Sequence, residues 1–109
     1  MSNALELGLH NFDQEVLQGT GVALVDFWAA WCMPCRMMGP TVDQIAAKYD
    51  GLVKVGKVNV DEQPELAREY GIMSIPTLIV FKDGKPVSQV IGVVSRHEIE
   101  RRIDAAVAA

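Results

Sequence analysis

Val22-Ala23-Leu24-Val25-Asp26-Phe27-Trp28 is followed at once by Ala29-Ala30-Trp31-Cys32-Met33-Pro34-Cys35. The first seven residues are an apolar run broken by a single acid, the pattern of a central strand covered on both faces. Beyond the cysteines the period changes. Met38, Val42, Ile45 and Tyr49 fall at i, i+4, i+7 and i+11, which is the buried stripe of a helix. Pro34 suits the first turn of that helix, Pro40 lies inside it and should kink it, and Asp50-Gly51 ends it. A buried strand that feeds a helix at a pair of cysteines predicts an α/β fold.

The flanking sequence extends this reading. Asn11 is a good N-cap and Gln14 follows three residues on, so a short first helix is expected over about 12–18. Val53 to Val60 reads as a strand, and Pro64 to about Tyr70 as a short helix closed by Gly71. Thr77–Phe81 and Val87–Ile91 flank Lys82-Asp83-Gly84-Lys85-Pro86, and Asp-Gly between apolar runs signals a hairpin. Ser95-Arg96-His97-Glu98 is a capping box, opening a helix with Ile99, Ile103 and Val107 on one face. The expected order is α, β, α, β, α, β, β, α: a mixed sheet covered on both faces, in one domain over residues 1–109.

Composition narrows the function. Half of the 109 residues are hydrophobic, enough for a core without disulfide staples. Ten basic against 14 acidic residues give a net charge of −4 with no basic cluster, which argues against binding to nucleic acid or an anionic membrane. Met1-Ser2-Asn3-Ala4-Leu5-Glu6 has neither a basic nor an apolar leader region, and no apolar run approaches the ~20 residues needed to span a bilayer. A reducing cytosol is the expected compartment. There, two cysteines three apart are reactive or metal-binding rather than a structural staple.

The placement of the pair favours reactivity. Cys32 falls at a helix N-terminus, where unpaired N–H groups and the positive dipole end favour an anion and can lower a thiol pKa toward ~7. A thiolate there attacks disulfides, and Cys35, one turn on, can attack the resulting mixed disulfide. A zinc half-site is the first competing reading, but structural zinc takes about four ligands and only His10 and His97 remain, without paired spacing. Two inert packed thiols are the second, against which stand the Pro between the cysteines and the Trp before them.

Three further positions keep two readings each. Asp26, if buried within its apolar run, would have a raised pKa and could accept a proton from Cys35; otherwise it turns to solvent. Lys57 is either a neighbour of Asp26 or an ordinary solvated strand residue. Ile75-Pro76 is either a cis bond or simply the start of a strand.

Taken together, these motifs are similar to those of the thioredoxin family. Val25–Arg36 resembles its active-site block; Tyr70-Gly71-Ile72 followed by Ile75-Pro76-Thr77-Leu78 resembles its cis-proline block; Phe81-Lys82-Asp83-Gly84 and Gly92 also match, so the similarity runs from about Phe12 to the C-terminus. The resemblance implies a central mixed sheet flanked by helices, with Cys32 as nucleophile and Cys35 as resolving thiol. It also implies that Asp26 carries a proton with Lys57 as its neighbour, and that Pro76 is cis against the dithiol. Trp31, Met33, Pro34, Ile75, Pro76, Gly92 and Val93 would receive the substrate chain, in the manner of strand addition at Ile75.

The implied activity is reduction of protein disulfides by dithiol exchange, with no bound cofactor. Re-reduction would come from an NADPH-linked, flavin-containing thioredoxin reductase, and the expected state is a monomer. A thiol oxidase or isomerase on this fold would need an oxidising compartment and a stabilised thiolate. A non-enzymatic scaffold would need none of Cys32, Cys35, Asp26 and Pro76. Three departures from the family pattern stand out: Met33 where Gly is usual, Arg36 for a common Lys with its charge kept, and Met73-Ser74 before Ile75.

Overall fold

In the computed structural model, which describes residues 4–109, the chain builds a five-stranded sheet in the order β1-β3-β2-β4-β5. The strands are β1 Leu5–Glu6, β2 Val22–Trp28, β3 Val53–Asn59, β4 Thr77–Lys82 and β5 Lys85–Ile91, and the helices α1 Met33–Lys48, α2 Pro64–Glu69 and α3 Arg96–Ala108. Strands β1, β3 and β2 run parallel, whereas β4 is antiparallel to β2 and β5 to β4. The expected mixed α/β sheet is therefore present. Met1–Asn3, the start of the segment read as leaderless, lie outside the described residues.

Strand β2 is central because it can be. Six of its seven residues are buried, and its side chains divide between two cores. Val22 and Leu24 pack with Met38, Val42, Ile45 and Tyr49 of α1 and with Ile99, Ile103 and Ala106 of α3. Ala23, Val25 and Phe27 pack on the other face with Phe12, Val16, Leu66 and Phe81. This alternation puts Asp26 on the face that α1 and α3 cover.

The helices follow their stripes with one exchange. The α1 stripe is buried as expected, and the element continues past Pro40, which lies on the exposed side of the helix. In α3, Ser95 Oγ accepts the Glu98 N–H at 3.2 Å, so that side of the cap forms. Ala106 rather than Val107 then takes the inner face, because three residues beyond Ile103 stay closer to the stripe than four at this helix end.

Two expectations need correction. The first helix is a single π-helical turn, Asp13–Leu17, and Asn11 does not cap it. The Asn11 side chain instead accepts the Gly8 N–H at 2.8 Å and donates to the Glu6 carbonyl at 3.0 Å, tying down the loop before the turn. Strand β1 was not expected. It has only two residues, pairing Leu5 with Gly56 and Glu6 with Lys57, too few to show a period.

The β4–β5 hairpin turns through Asp83 (φ 51°) and Gly84 (φ 83°), the positive pair of a type I′ turn. A bulge opposite the Val80–Phe81 step leaves Val87 without a partner on β4, and β5, an edge strand, carries exposed Lys85 and Pro86. Charge and proline on one edge and a two-residue strand on the other discourage edge-to-edge pairing.

Candidate active site

The β2 strand ends at Trp28, and the next turn brings the chain to Cys32 at the mouth of α1. Cys32 is the N-cap residue in extended conformation (φ −89°, ψ 109°), and its Sγ accepts the Cys35 backbone N–H at 3.2 Å. Sulfur thus occupies the position that a Ser or Asp oxygen takes in an ordinary cap. Pro34 sits in the first turn, where its missing N–H costs nothing. Cys32 and Cys35 are joined as a disulfide with Cα atoms 5.2 Å apart, and they are only 4% and 3% exposed.

The pair is packed, with one side facing the surface. Ala29 is buried beside both cysteines, with Trp28, Val60 and Ile75 against them. Cys32 Sγ lies 3.7 Å from the Ile75 carbonyl oxygen. The Ile75-Pro76 bond is cis, and the Pro76 carbonyl accepts the Gly92 N–H at 2.8 Å. The loop carrying Gly92 and Val93 is thereby joined to the loop that carries Ile75. Around this centre Trp31 is 71% exposed, and Met33, Pro34 and Val93 are exposed as well.

The structure also places residues that the sequence did not single out. Trp31 Nε1 donates to Asp61 Oδ2 at 2.8 Å. Asp61 is presented by a turn in which Asn59 Oδ1 accepts the Asp61 N–H at 3.0 Å. Met37, one helical turn beyond Met33, and Met73, which is 93% exposed, extend the apolar rim. Asn-x-Asp after a strand is a turn signal, but nothing in it points across 30 positions to Trp31.

Asp26 does not face solvent. It is 2% exposed, and its Oδ1 has no hydrogen-bond partner among the described residues. Burial drives its pKa from 3.8 up to about 7; the Lys57 charge opposes that rise and the Asp43 charge adds to it. Lys57 stands opposite Asp26 in the β2–β3 register and is half-buried, so it is indeed a neighbour. Its ion pair, however, is with Asp43 of α1, Nζ to Oδ1 at 2.9 Å. Among the described residues, no three His, Cys, Asp or Glu side chains gather as a metal would require, so the zinc reading finds no ligand set. No described helix is long and apolar enough to cross a membrane.

A buried cysteine pair at a helix mouth, in a fold that also buries a carboxyl on the strand leading to it, has the make-up of a dithiol site, and comparison with known proteins agrees. The sequence profile of the family described as Thioredoxin matches residues 3–105. Over 104 residues the chain is 49% identical to thioredoxin 1 of Nostoc sp. (strain PCC 7120) and 51% identical to thioredoxin 1 of Synechococcus elongatus, covering 95% of this chain and 97% of each relative. It is 51% identical over 90 residues to the thioredoxin of Alicyclobacillus acidocaldarius, covering 83% of this chain and 86% of that relative. With its Cys32–Cys35 pair at the head of α1 and this likeness along nearly its whole length, the chain belongs to the thioredoxin family and is a thiol–disulfide oxidoreductase.

Proposed function

We propose that Cys32 is the attacking thiol of this oxidoreductase, Cys35 the resolving thiol and Asp26 the proton acceptor between them. In the reduced protein the Cys32 thiolate attacks one sulfur of a client disulfide. A Cys32–client mixed disulfide forms, and the other client sulfur leaves as a thiolate. Cys35 then gives its proton to the Asp26 carboxylate and attacks Cys32 Sγ. The mixed disulfide breaks as Cys32–Cys35 closes; the second client sulfur leaves as a thiolate and takes up the proton held by Asp26, and the first is protonated from solvent. Two electrons have moved to the client, and a thioredoxin reductase returns them from NADPH through its flavin.

The observation that carries this assignment is the Cys35 N–H aimed at Cys32 Sγ. Only Cys32 has the N-cap position, where a helix's unpaired donors favour an anion. Cys35 lies inside the first turn, over the apolar contacts of Ala29 and Trp28. A buried carboxyl held near neutral pKa suits a base that must take a proton and later release it at neutral pH.

Clients are polypeptides carrying a disulfide, the substrate class the family implies. Trp31, Met33, Pro34, Ile75, Pro76, Gly92 and Val93 form their landing surface, with Ile75 offering its backbone to an extended client segment. This surface is apolar and uncharged, which fits recognition of many sequences around a disulfide. Lys57 serves as the charge beside Asp26. The 109 residues act as one domain, in the cytoplasm and as a monomer, without nucleic-acid or membrane partners; the net charge of −4 supports the absence of those last two partners.

Single-serine variants test the division of labour. With reductase and NADPH, Cys32→Ser should lose insulin reduction entirely, because an alcohol is no comparable nucleophile at neutral pH. Cys35→Ser should accumulate clients bound covalently through Cys32. Trapping by the Cys32 variant alone would reverse the assignment.

A further inference from the structure

Asp26, Lys57 and Asp43 meet where α1 crosses β2 and β3. Asp26 and Lys57 are cross-strand partners, and α1 covers the face on which Asp26 lies, so two carboxylates compete for one ammonium. The ammonium goes to Asp43, at 2.9 Å, while Asp26 Oδ1 stays buried without a partner. An unpaired buried carboxylate is costly, and a neighbouring lysine on a flexible stem would normally turn to it. What keeps Lys57 turned the other way is the second acid.

We propose that Asp43 is a positioning residue for the dithiol chemistry, holding the Lys57 ammonium on α1 and so withholding it from the Asp26 carboxylate. The proposal rests on the reading of Asp26 as proton acceptor for its catalytic meaning, though not for the electrostatics. A proton acceptor that captured Lys57 would be held ionised and would be a weaker base for Cys35. Asp43 prevents this in two ways: it occupies the ammonium, and it adds a like charge near Asp26. The Asp43 charge acts in the direction of the elevated Asp26 pKa, while the Lys57 charge, held on α1, acts against it without cancelling the effect of burial.

The surroundings leave few other candidates for this role. From β4 the register neighbour of Asp26 is Leu78, and α3 contributes Ile99, Ile103 and Ala106 to the same face. From β1 the nearest charge is Glu6, which pairs with Lys57 one strand further out and is exposed. At the head of α1 stands Cys35. Lys57 and Asp43 are therefore the charges that face Asp26 from β3 and α1.

The test is carboxyl NMR titration of Asp26 in the oxidised protein, in wild type, Asp43→Asn, Lys57→Met and the double variant. Asp43→Asn should lower the Asp26 midpoint by about one pH unit, the lower end for an opposite charge brought within 4–6 Å. Lys57→Met should raise it. In the Lys57→Met background, Asp43→Asn should produce less than half its wild-type effect, because no ammonium remains to be released. An unmoved midpoint in Asp43→Asn overturns the proposal. So does an equal fall in both backgrounds, which would make Asp43 a repelling charge and nothing more. The acid limb of insulin reduction, followed over pH 5–8, should shift down with the Asp26 midpoint in Asp43→Asn. If the midpoint moves and the rate profile does not, Asp43 still positions Lys57, and the role of Asp26 as acceptor is what fails.

Discussion

Asp26 shows what burial does to one carboxyl. Its folded pKa of about 7 lies above the unfolded value of 3.8, so the folded state favours the protonated form. Stability from this residue is fully present below pH ~4 and is lost as pH rises through ~7. The gap corresponds to roughly 4 kcal/mol at about 1.36 kcal/mol per unit. Asp26→Asn, which cannot ionise, should therefore unfold at higher denaturant than wild type at pH 8, with the advantage shrinking toward pH 4. Equal stability differences at both pH values would contradict the buried ionisation. The same variant should release reduced client more slowly.

At the same scale, Met33 stands where the family usually has Gly. It is 65% exposed, carries no charge, and its thioether is a weak acceptor that cannot hold a thiolate as a cation would. The Cys35 N–H and the α1 N-terminus do not depend on it. Met33→Gly should therefore move the reduction potential by less than ~30 mV, equivalent to ~1.4 kcal/mol for two electrons. A larger shift would assign Met33 a part in thiolate stability.

Among the elements, legibility followed how local the cause was. The β2 run, the α1 stripe, the Ser95 cap and the Asp83-Gly84 hairpin are each encoded within a few residues, and each formed. Strand β1 was invisible because its two residues are strands only by virtue of Gly56 and Lys57, some 50 positions away. Asn11 misled because an Asn can bond to several nearby backbone groups, and here loop contacts took its side chain. In the site, Cys32, Cys35 and the burial of Asp26 could be read in sequence. The Lys57–Asp43 and Trp31–Asp61 pairs could not, since each joins separate elements.

Two glycines allow the hairpin to be tested. Gly51 and Gly84 share a φ of 83°, but a β-carbon at Gly51 meets open space whereas one at Gly84 would collide with the Leu17 carbonyl. Gly51→Ala should cost about 1 kcal/mol, the usual left-handed penalty. Gly84→Ala should cost clearly more, because backbone rather than a mobile side chain stands in the way. Chemical denaturation of both variants checks this; equal losses would place the Leu17 carbonyl out of reach.

For the molecule as a whole, one sheet supports all the chemistry at one end. Strand β2 carries Asp26 into the core and delivers Cys32 to the α1 N-terminus. Strands β3 and β4 bring Lys57 beside Asp26 and Ile75-Pro76 beside the cysteines. Exposed Trp31, Met33, Met37, Met73 and Val93 leave an apolar rim around a sulfur pair that water barely reaches. Strong oxidants of this chemical type owe their potential to a stabilised reduced form. Among the described residues no cationic side chain bonds Cys32 Sγ; the contacts found are the Cys35 N–H and the Ile75 carbonyl.

Electrons are expected to flow from this dithiol to its clients. Equilibration of the Cys32–Cys35 pair against glutathione buffers, read by Trp fluorescence or thiol trapping, tests it most directly. The predicted potential is about −270 mV, the thioredoxin value; one above about −200 mV, in the range of isomerases and oxidases, would contradict it and reverse the direction of electron flow.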